Sequence, residues 1–197
     1  ALGAMSDKAK AIVEVAHQNT ERLIKLVNDI LDMGKIEAGR MDFHMKPVDI
    51  VSLVKSAIEA NNGFCADLGV TFVQVALEEK TFVHGDRGRL MQVLSNMMSN
   101  AAKFSPHGGR VDISVTRQGD TVRIALKDSG PGIPEEFRKS IFEKFTQADS
   151  SDSRQKGGAG LGLSIAKSIV ERHHGDLGCE SEVGAGSTFF FTLPVSD

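Results

Sequence analysis

The chain has 197 residues, of which 41% are hydrophobic and 25% are charged, the composition of an ordinary globular protein with a sizeable core. The net charge of -3 and the absence of Trp and Tyr argue against a nucleic-acid-binding surface and against electrostatic attachment to an acidic membrane. No apolar run approaches the roughly 20 residues of a membrane span, and Cys65 and Cys179 lack the spacing of a CxxC metal or redox site.

Residues 6–38 predict one long helix. Ser6 or Asp7 can cap its start, and Gly39 suits its end. Its apolar positions follow a heptad repeat with one polar layer at Asn19, which is typical of a helix that packs against partner helices. We expect one helix of a bundle, dimeric in the intact protein, with a long linker helix as the alternative. The repeat consists of Ile12, Ala16, Asn19, Leu23, Leu26, Ile30 and Met33.

Beyond Gly39 the pattern mixes strands and helices. A short strand over 41–45 is predicted to end at Pro47, and residues 118–120 are predicted to form a hairpin turn. Residues 146–160 are polar, rich in glycine and predicted to be mobile. Together these features predict an α+β sandwich with the helices on one face of the sheet. The remaining predicted helices lie at 50–58, 86–102 and 161–173, and the strands at 70–75, 82–83, 111–115, 122–126, 177–182 and 188–193.

Three polar residues share one face of the helix that starts at Asp86. Asn96, Asn100 and Lys103 are spaced i, i+4 and i+7. Amide oxygens can ligate Mg²⁺ and an ammonium group can bind an anion, so this face suits a cation that bridges phosphate oxygens. A solvated polar face is the alternative.

A second segment, Asp128 to Ile133, follows a predicted strand. Its glycines, Gly130 and Gly132, let the backbone pass close to a ligand. A carboxylate at the end of a buried strand can accept a hydrogen bond from an exocyclic amine such as that of adenine. An ordinary turn between a strand and a helix is the alternative.

Two further glycine-rich segments lie near the C-terminus. Gly157 to Leu163 opens a helix, where exposed amides and the helix dipole favour phosphate, and Arg154 and Lys156 precede it. No Gly-Lys-Ser/Thr follows, as a Walker loop requires, and no strand precedes it, as a dinucleotide fingerprint requires. The segment 184–189 predicts a tight turn between strands.

The order of these four segments, with Phe142 and Phe145 between the second and third, resembles the N, G1, F, G2 and G3 boxes of the sensor histidine kinase catalytic domain. The resemblance covers residues 41–194. Residues 6–40 resemble the second helix of the dimerisation and phosphotransfer domain of the same family, notably at 28–32 and 35–39. The resemblance implies two domains, an incomplete helical bundle at 1–40 and an ATP-binding domain at 41–197. The implied fold is α+β, a Bergerat-type (GHKL) two-layer sandwich with a mixed sheet, preceded by one long bundle helix.

The resemblance also implies roles for single residues. Asn100 would ligate Mg²⁺, Asn96 would lie close to the metal and the phosphates, and Lys103 would hold phosphate. Asp128 would recognise the adenine amine, with Thr188 supporting the base site. The base pocket would be shaped by Gly130, Gly132 and Ile133.

The segment 146–160 would be the lid over ATP. Phe142 and Phe145 would hold its base by packing, and Arg154 is the candidate contact to the γ-phosphate. The implied ATP-binding set is completed by Phe104, Gly158, Ala159, Gly160, Leu161, Gly162 and Leu163.

The family's acceptor motif, a His followed by an acidic residue on the first bundle helix, has no match here. We therefore expect a chain that starts near the turn between two bundle helices, binds ATP and Mg²⁺, and cannot phosphorylate itself. The implied partners are a histidine-bearing helix of the same kinase, a response regulator receiver domain, and a second copy once the bundle is complete. A cytoplasmic location is expected, free or as part of a membrane-bound sensor. The six histidines without that context are His17, His44, His84, His107, His173 and His174.

The residue four positions before Asn100 separates this chain from related ATPases. Gyrase-type, chaperone and mismatch-repair enzymes place there a Glu that activates water, whereas Asn96 carries an amide that cannot act as a base. We expect slow hydrolysis and transfer of the γ-phosphoryl group to an imidazole. A nucleotide-dependent interaction module without phosphotransfer is the alternative, ahead of a hydrolytic ATPase and a serine-directed kinase.

Overall fold

The computed structural model describes residues 5–77, 79–146 and 160–196. The chain divides into two compact units, residues 1–41 and 42–197. We call them the helical unit and, after the resemblance described above, the catalytic unit. Among the described helices, none combines the length and the apolarity that crossing a membrane requires.

The helical unit consists of one long helix, α1 (Asp7–Glu37). Ser6 caps it, because its side-chain oxygen accepts a hydrogen bond from the Ala9 amide at 3.3 Å. Gly39 follows with a φ of 62°, the left-handed conformation in which many helices end. Much of the apolar stripe is solvent-exposed, including Ile12 at 61% and Leu23 at 60%. The predicted long helix is confirmed.

A five-stranded mixed sheet forms the base of the catalytic unit. Its strand order is β2-β4-β5-β7-β6, with β2 parallel to β4 and the other neighbours antiparallel. A separate antiparallel pair, β1 with β3, stands beside it. The strands are β1 (Lys46–Asp49), β2 (Thr71–Leu77), β3 (Phe82–Gly85), β4 (Arg110–Gln118), β5 (Thr121–Asp128), β6 (Asp176–Glu182) and β7 (Gly186–Pro194).

Three helices pack on one face of this sheet: α2 (Ile50–Asp67), α3 (Arg87–Phe104) and α5 (Gly162–Arg172). A single turn, α4 (Glu135–Arg138), and a 3₁₀ turn at Ser140–Phe142 lie between β5 and α5. The sandwich is confirmed, with its α+β class and GHKL-type fold. Both long helices after β1 start at a capping aspartate, as the sequence predicts for Asp86.

Alternation along the strands decides which side chains enter the core. On β4 and β5 the alternate residues from Val111 to Val115 and from Val122 to Leu126 are fully buried, and the residues between them point to the other face. The helices contribute matching apolar faces. Fully buried side chains include Leu53, Leu90, Leu94, Met97, Ile113, Ile124, Ile165 and Phe191.

The prediction of a strand over 41–45 is wrong. Those residues are irregular, and β1 starts at Lys46 and includes Pro47. Proline has no amide hydrogen, but β1 pairs with β3 alone, so one side of the strand needs no donor there. The predicted hairpin between β4 and β5 is confirmed, with Gln118 opposite Thr121.

Candidate functional site

The first side of the site is the C-terminal half of α3. Asp86 caps this helix, because its Oδ1 accepts the Arg89 amide at 3.0 Å. Asn96 is buried, and its side-chain nitrogen donates to the Gly162 carbonyl at 3.1 Å. Asn100 and Lys103 lie further along the same face and are half-buried. Thus α3 is tied to the start of α5 at the position where the predicted N box lies.

The hydrogen bond to Gly162 fixes the orientation of the Asn96 amide. Because a carbonyl oxygen can only accept, the Asn96 nitrogen faces it and the Oδ1 atom is left as an acceptor or ligand. Among the described residues no group of three His, Cys, Asp or Glu could hold a metal ion. The Asn96 and Asn100 side chains offer amide oxygens, which fit Mg²⁺ held by few protein ligands together with phosphates and water.

The second side of the site is Asp128 at the end of β5, which is only 5% exposed. One oxygen, Oδ1, accepts hydrogen bonds from the Gly130 amide at 2.9 Å and the Ser187 amide at 3.3 Å. Burial raises the pKa of this carboxyl, and the two backbone hydrogen bonds oppose the rise. The carboxylate is thus held rigidly by Oδ1, while Oδ2 is available to a ligand's donor.

Two glycines let the main chain close around Asp128. Gly132 has a φ of 74°, and a Cβ there would lie 2.0 Å from the Glu182 carbonyl oxygen. Gly186 has a φ of 95°, and a Cβ there would lie 2.2 Å from the Asp128 carbonyl oxygen. Only glycine fits either position without a backbone shift. The predicted G1 and G3 segments are therefore in direct backbone contact.

A chain of hydroxyl groups joins the same segments. The Ile133 amide donates to Ser181 Oγ at 2.8 Å, and that hydroxyl lies 2.8 Å from Ser187 Oγ. Ser181 also donates to the Gly186 carbonyl at 2.9 Å. Ile133 is thereby positioned beside the β6–β7 turn, next to the segment that holds Asp128.

Ser187, the neighbour of Thr188, contacts Asp128 directly. Ser187 is the strand partner of Asp128, whereas Thr188 pairs with Lys127 and points to the other face of the sheet. The sequence analysis missed Ser187, and the supporting role of Thr188 stays a prediction. The signal was present in the alternation of β7, because Ser187 shares its face with the buried Phe189 and Phe191.

The third side of the site is the base of the predicted lid. The Phe145 amide donates to the Gly160 carbonyl at 3.0 Å, so the two ends of the segment between them meet. Phe142 is half-buried in the 3₁₀ turn against α5, and Phe145 is 69% exposed with a φ of 60°. The predicted packing of Phe145 against the base of the lid therefore stays a prediction. Arg154, Gly158 and Ala159 lie outside the described residues.

The start of α5 completes the site. Leu161 is buried, and Ser164 Oγ donates to its carbonyl at 2.9 Å, while Gly162 and Leu163 form the first turn. The first amides of a helix lack partners within the helix and carry partial positive charge. This turn meets Asn96 on α3. At the end of α3, the Phe104 carbonyl lies 2.8 Å from the position of a Cβ on Gly130, so α3 also contacts the loop after β5.

The site and fold define a protein class. The chain belongs to the HATPase_c family, the histidine kinase-, DNA gyrase B- and HSP90-like ATPases, whose family profile matches residues 85–197. This membership confirms the resemblance to the sensor histidine kinase catalytic domain that the five motifs predict.

The relatives within this family are sensor kinases. The chain is 37% identical over 197 residues to the circadian input-output histidine kinase CikA of Synechococcus elongatus, covering 98% of this chain and 26% of the relative. It is 35% identical over 193 residues to the sensor histidine kinase WalK of Bacillus subtilis, covering 97% and 31%. The chain thus spans about a quarter to a third of the length of these relatives.

Solved structures agree with this assignment. Full-length ShkA in complex with AMPPNP superimposes with a TM-score of 0.81 at 30% identity, covering 98% of this chain and 40% of that one. The mycobacterial sensor histidine kinase MprB gives 0.67 at 29% identity, covering 77% and 98%.

Proposed function

We propose that this chain is the ATP-binding catalytic part of a sensor histidine kinase, and that it transfers the γ-phosphoryl group of ATP to a histidine. The observation that carries the proposal is the buried Asp128 carboxylate, held through one oxygen by two backbone amides. Such a group can accept a hydrogen bond from an exocyclic amine and recognise adenine without a change in its own conformation. The structure of the related ShkA was solved in complex with AMPPNP, which supports nucleotide binding by this chain.

The remaining residues provide for the phosphates. Asn100, with Asn96 beside it, would hold Mg²⁺ through amide oxygens, and the ion would neutralise charge between phosphate groups. Lys103 and the first amides of α5 at Gly162 and Leu163 would bind phosphate oxygens. Gly160 and Leu161 lead into that turn. Arg154, Gly158 and Ala159 of the lid are proposed to close over the γ-phosphate.

The residue at position 96 favours transfer over hydrolysis. A carboxylate could take a proton from water, but the Asn96 amide cannot, and its nitrogen already donates to Gly162. Phosphoryl transfer through a loose transition state depends mainly on positioning and charge neutralisation. The side chains of this site supply those two effects, and the acceptor imidazole supplies the nucleophile.

The acceptor is proposed to be a histidine on another helix of the same kinase, in cis or in trans. The exposed apolar stripe of α1 would pack in a helical bundle that makes the intact kinase a homodimer. From the histidine the phosphoryl group would pass to an aspartate of a response regulator. A complex of the kinase ThkA with the response regulator TrrA is known for that protein. The cytoplasm is the proposed location.

The test supplies the missing substrate. The chain is mixed with Mg-ATP labelled at the γ-position and with a peptide or fused helix that carries an acceptor His followed by an acidic residue. Acid-labile, base-stable label on that histidine is expected, and Asn100→Ala and Asp128→Ala should abolish it. Glu59→Gln on α2 serves as the control. Nucleotide binding without phosphohistidine would favour the interaction module, and rapid steady-state release of phosphate would favour an ATPase.

A further inference from the structure

Two hydrogen bonds tie α5 to α3, one at each end of their contact. Near the nucleotide end, Asn96 on α3 donates to the Gly162 carbonyl at the start of α5. At the far end, the Asp86 amide at the start of α3 donates to Nε2 of His173, just after α5, at 2.9 Å. The helices therefore run antiparallel, with about 15 Å between the two bonds at 1.5 Å per residue.

His173 is built into this far end as a neutral ring. It is 2% exposed, and its Nδ1 lies 2.8 Å from the Ile169 carbonyl oxygen. Because Nε2 accepts from Asp86, the proton resides on Nδ1, which donates to Ile169. Burial lowers the pKa of His173, which agrees with a neutral ring.

The surroundings of the ring are shaped to fit it. A Cβ on Gly85 would lie 2.8 Å from the His173 Cδ2 atom, so β3 carries glycine where the ring approaches. On another side the Phe43 ring meets His173 edge to face, with ring centroids 5.6 Å apart. Next to Phe43, the His44 amide donates to Asp86 Oδ2 at 2.7 Å. The chain segment that enters the catalytic unit is thus fastened to the same point.

On the basis of the proposed nucleotide-binding function, we propose that His173 is a positioning residue for the nucleotide site. Its bond to Asp86 sets the axial register of α5 against α3. That register brings the phosphate-binding turn at Gly162 to Asn96 and Asn100. The ring itself touches no nucleotide, because it lies at the opposite end of α5.

The need for two bonds follows from helix geometry. The apolar face of α5 packs against α3 and the sheet, and the two hydrogen bonds about 15 Å apart add directional constraints on its rotation and sliding. Without the His173 bond, the amides at Gly162 can move relative to the amide oxygens of α3. Losing this bond also leaves the Asp86 amide without its buried acceptor.

Two substitutions separate the two hydrogen bonds of the ring. His173→Asn places an amide nitrogen near the Nδ1 position, so it keeps the bond to Ile169 and loses the one to Asp86. His173→Gln places its amide oxygen near the Nε2 position, so it keeps the bond to Asp86 and loses the one to Ile169. The pair has similar size and polarity but opposite effects on the tie between the helices.

The experiment measures the Kd of Mg-AMPPNP by titration calorimetry on the full 197-residue chain, beside the unfolding midpoint of each variant. We expect His173→Asn to raise the Kd about tenfold, because nucleotide must then restore the register of α5 that one hydrogen bond otherwise holds, and His173→Gln to stay within about threefold of the parent chain. Val54→Ala, a buried change on α2, controls for general destabilisation and should leave the Kd unchanged. If His173→Asn does not fold, Gly85→Ala replaces it, since its Cβ displaces the ring.

The outcomes distinguish this inference from the proposed function. If the parent chain binds no nucleotide, or if Asp128→Ala binds as well as the parent, the proposed site is wrong. If Asp128→Ala abolishes binding while His173→Asn and His173→Gln raise the Kd equally, or not at all, the positioning role of His173 is refuted.

Discussion

Two helices of this chain carry similar amphipathic patterns but differ in burial. On α3 the apolar residues Leu90, Leu94 and Met97 are at most 1% exposed. The sheet and the other helices of the catalytic unit cover them. On α1 the apolar residues Leu23 and Ile30 are more than half exposed. Helical periodicity therefore indicates which face a helix will bury, but it does not indicate whether the covering surface belongs to the same unit.

The largest expected effect tests this contrast with one chemical change at two places. Leu94→Ala should lower the free energy of unfolding by about 2–5 kcal/mol, because it leaves a cavity in a packed core. Leu23→Ala removes the same atoms from an exposed site and should cost less than about 0.5 kcal/mol. Urea unfolding followed by circular dichroism measures both.

Equal losses in the two variants would contradict the contrast. They would mean that the α1 stripe is covered in solution, for example by a second copy of the chain. The unfolding midpoint of the parent chain would then rise with protein concentration. Light-scattering mass gives an independent measurement of that association.

A second prediction concerns a polar side chain buried in the catalytic unit. Asp128→Asn keeps an oxygen for the Gly130 and Ser187 amides but replaces the remaining carboxylate oxygen with a donor. Affinity for Mg-AMPPNP should fall about 10- to 150-fold, the value of a hydrogen bond to a charged group. The unliganded chain should be as stable as the parent or more so, because burial already raises the pKa of this carboxyl and disfavours its charge.

Hydrogen exchange can compare the effect of nucleotide on α3 and on α1, in the parent chain and in Asp128→Asn. Nucleotide should raise protection in α3 and α5 of the parent chain and leave α1 unchanged, and Asp128→Asn should remove the effect. Asp120→Asn, at the exposed tip of the β4–β5 hairpin, is the matched control. Unchanged affinity in Asp128→Asn would remove Asp128 from the base site.

A third prediction isolates the metal. Asn100→Ala should weaken binding of AMPPNP about tenfold in Mg²⁺, because it removes the proposed amide ligand of the metal. In EDTA, Asn100→Ala and the parent should bind alike. Asn62→Ala, an exposed asparagine on α2, is the control in both conditions. An equal loss with and without Mg²⁺ would place Asn100 on the nucleotide and not on the metal.

Most of the catalytic unit could be predicted from local pattern. Alternation located β4, β5 and β7, and the capping aspartate located the start of α3, because these signals act within a few residues. The prediction of a strand at 41–45 was wrong because Met41, Phe43 and Met45 alternate without a pairing partner. Pairing is set by β3, about 40 residues further along the chain.

The site was predictable in its residue types and less so in its contacts. The spacing of Asn96 and Asn100 placed both on one helix face, yet the bond from Asn96 to Gly162 spans 66 residues and has no local signal. That Ser187 and not Thr188 lies opposite Asp128 depends on strand register, where a slip of one residue exchanges the two faces. No pattern near His173 predicts its contact with Asp86, 87 residues away, because that contact depends on the fold.

The smallest expected effect is a pH dependence of stability in the catalytic unit. His173 has a lowered pKa in the folded chain, chiefly from burial, with opposing contributions from the Ile169 carbonyl and Asp86 and supporting ones from His174 and His84. Below about pH 6.5 the unfolded chain therefore binds a proton that the folded chain resists. The free energy of unfolding should fall as the pH drops below that value, by at most about 1.4 kcal/mol per pH unit.

Asp128 gives a slope of the opposite sign. Its pKa is raised in the folded chain, so protonation at lower pH relieves the cost of a buried charge and stabilises the fold. The His173 contribution therefore dominates just below neutrality, and the Asp128 contribution offsets further loss as the pH approaches the carboxyl range. Chemical unfolding at half-unit steps from pH 7.5 to pH 5 measures the slope, and His173→Gln should flatten its upper part. A slope that persists in His173→Gln would assign it to another group, whereas a flat profile in the parent chain would mean that His173 is not held neutral at the junction of α3 and α5.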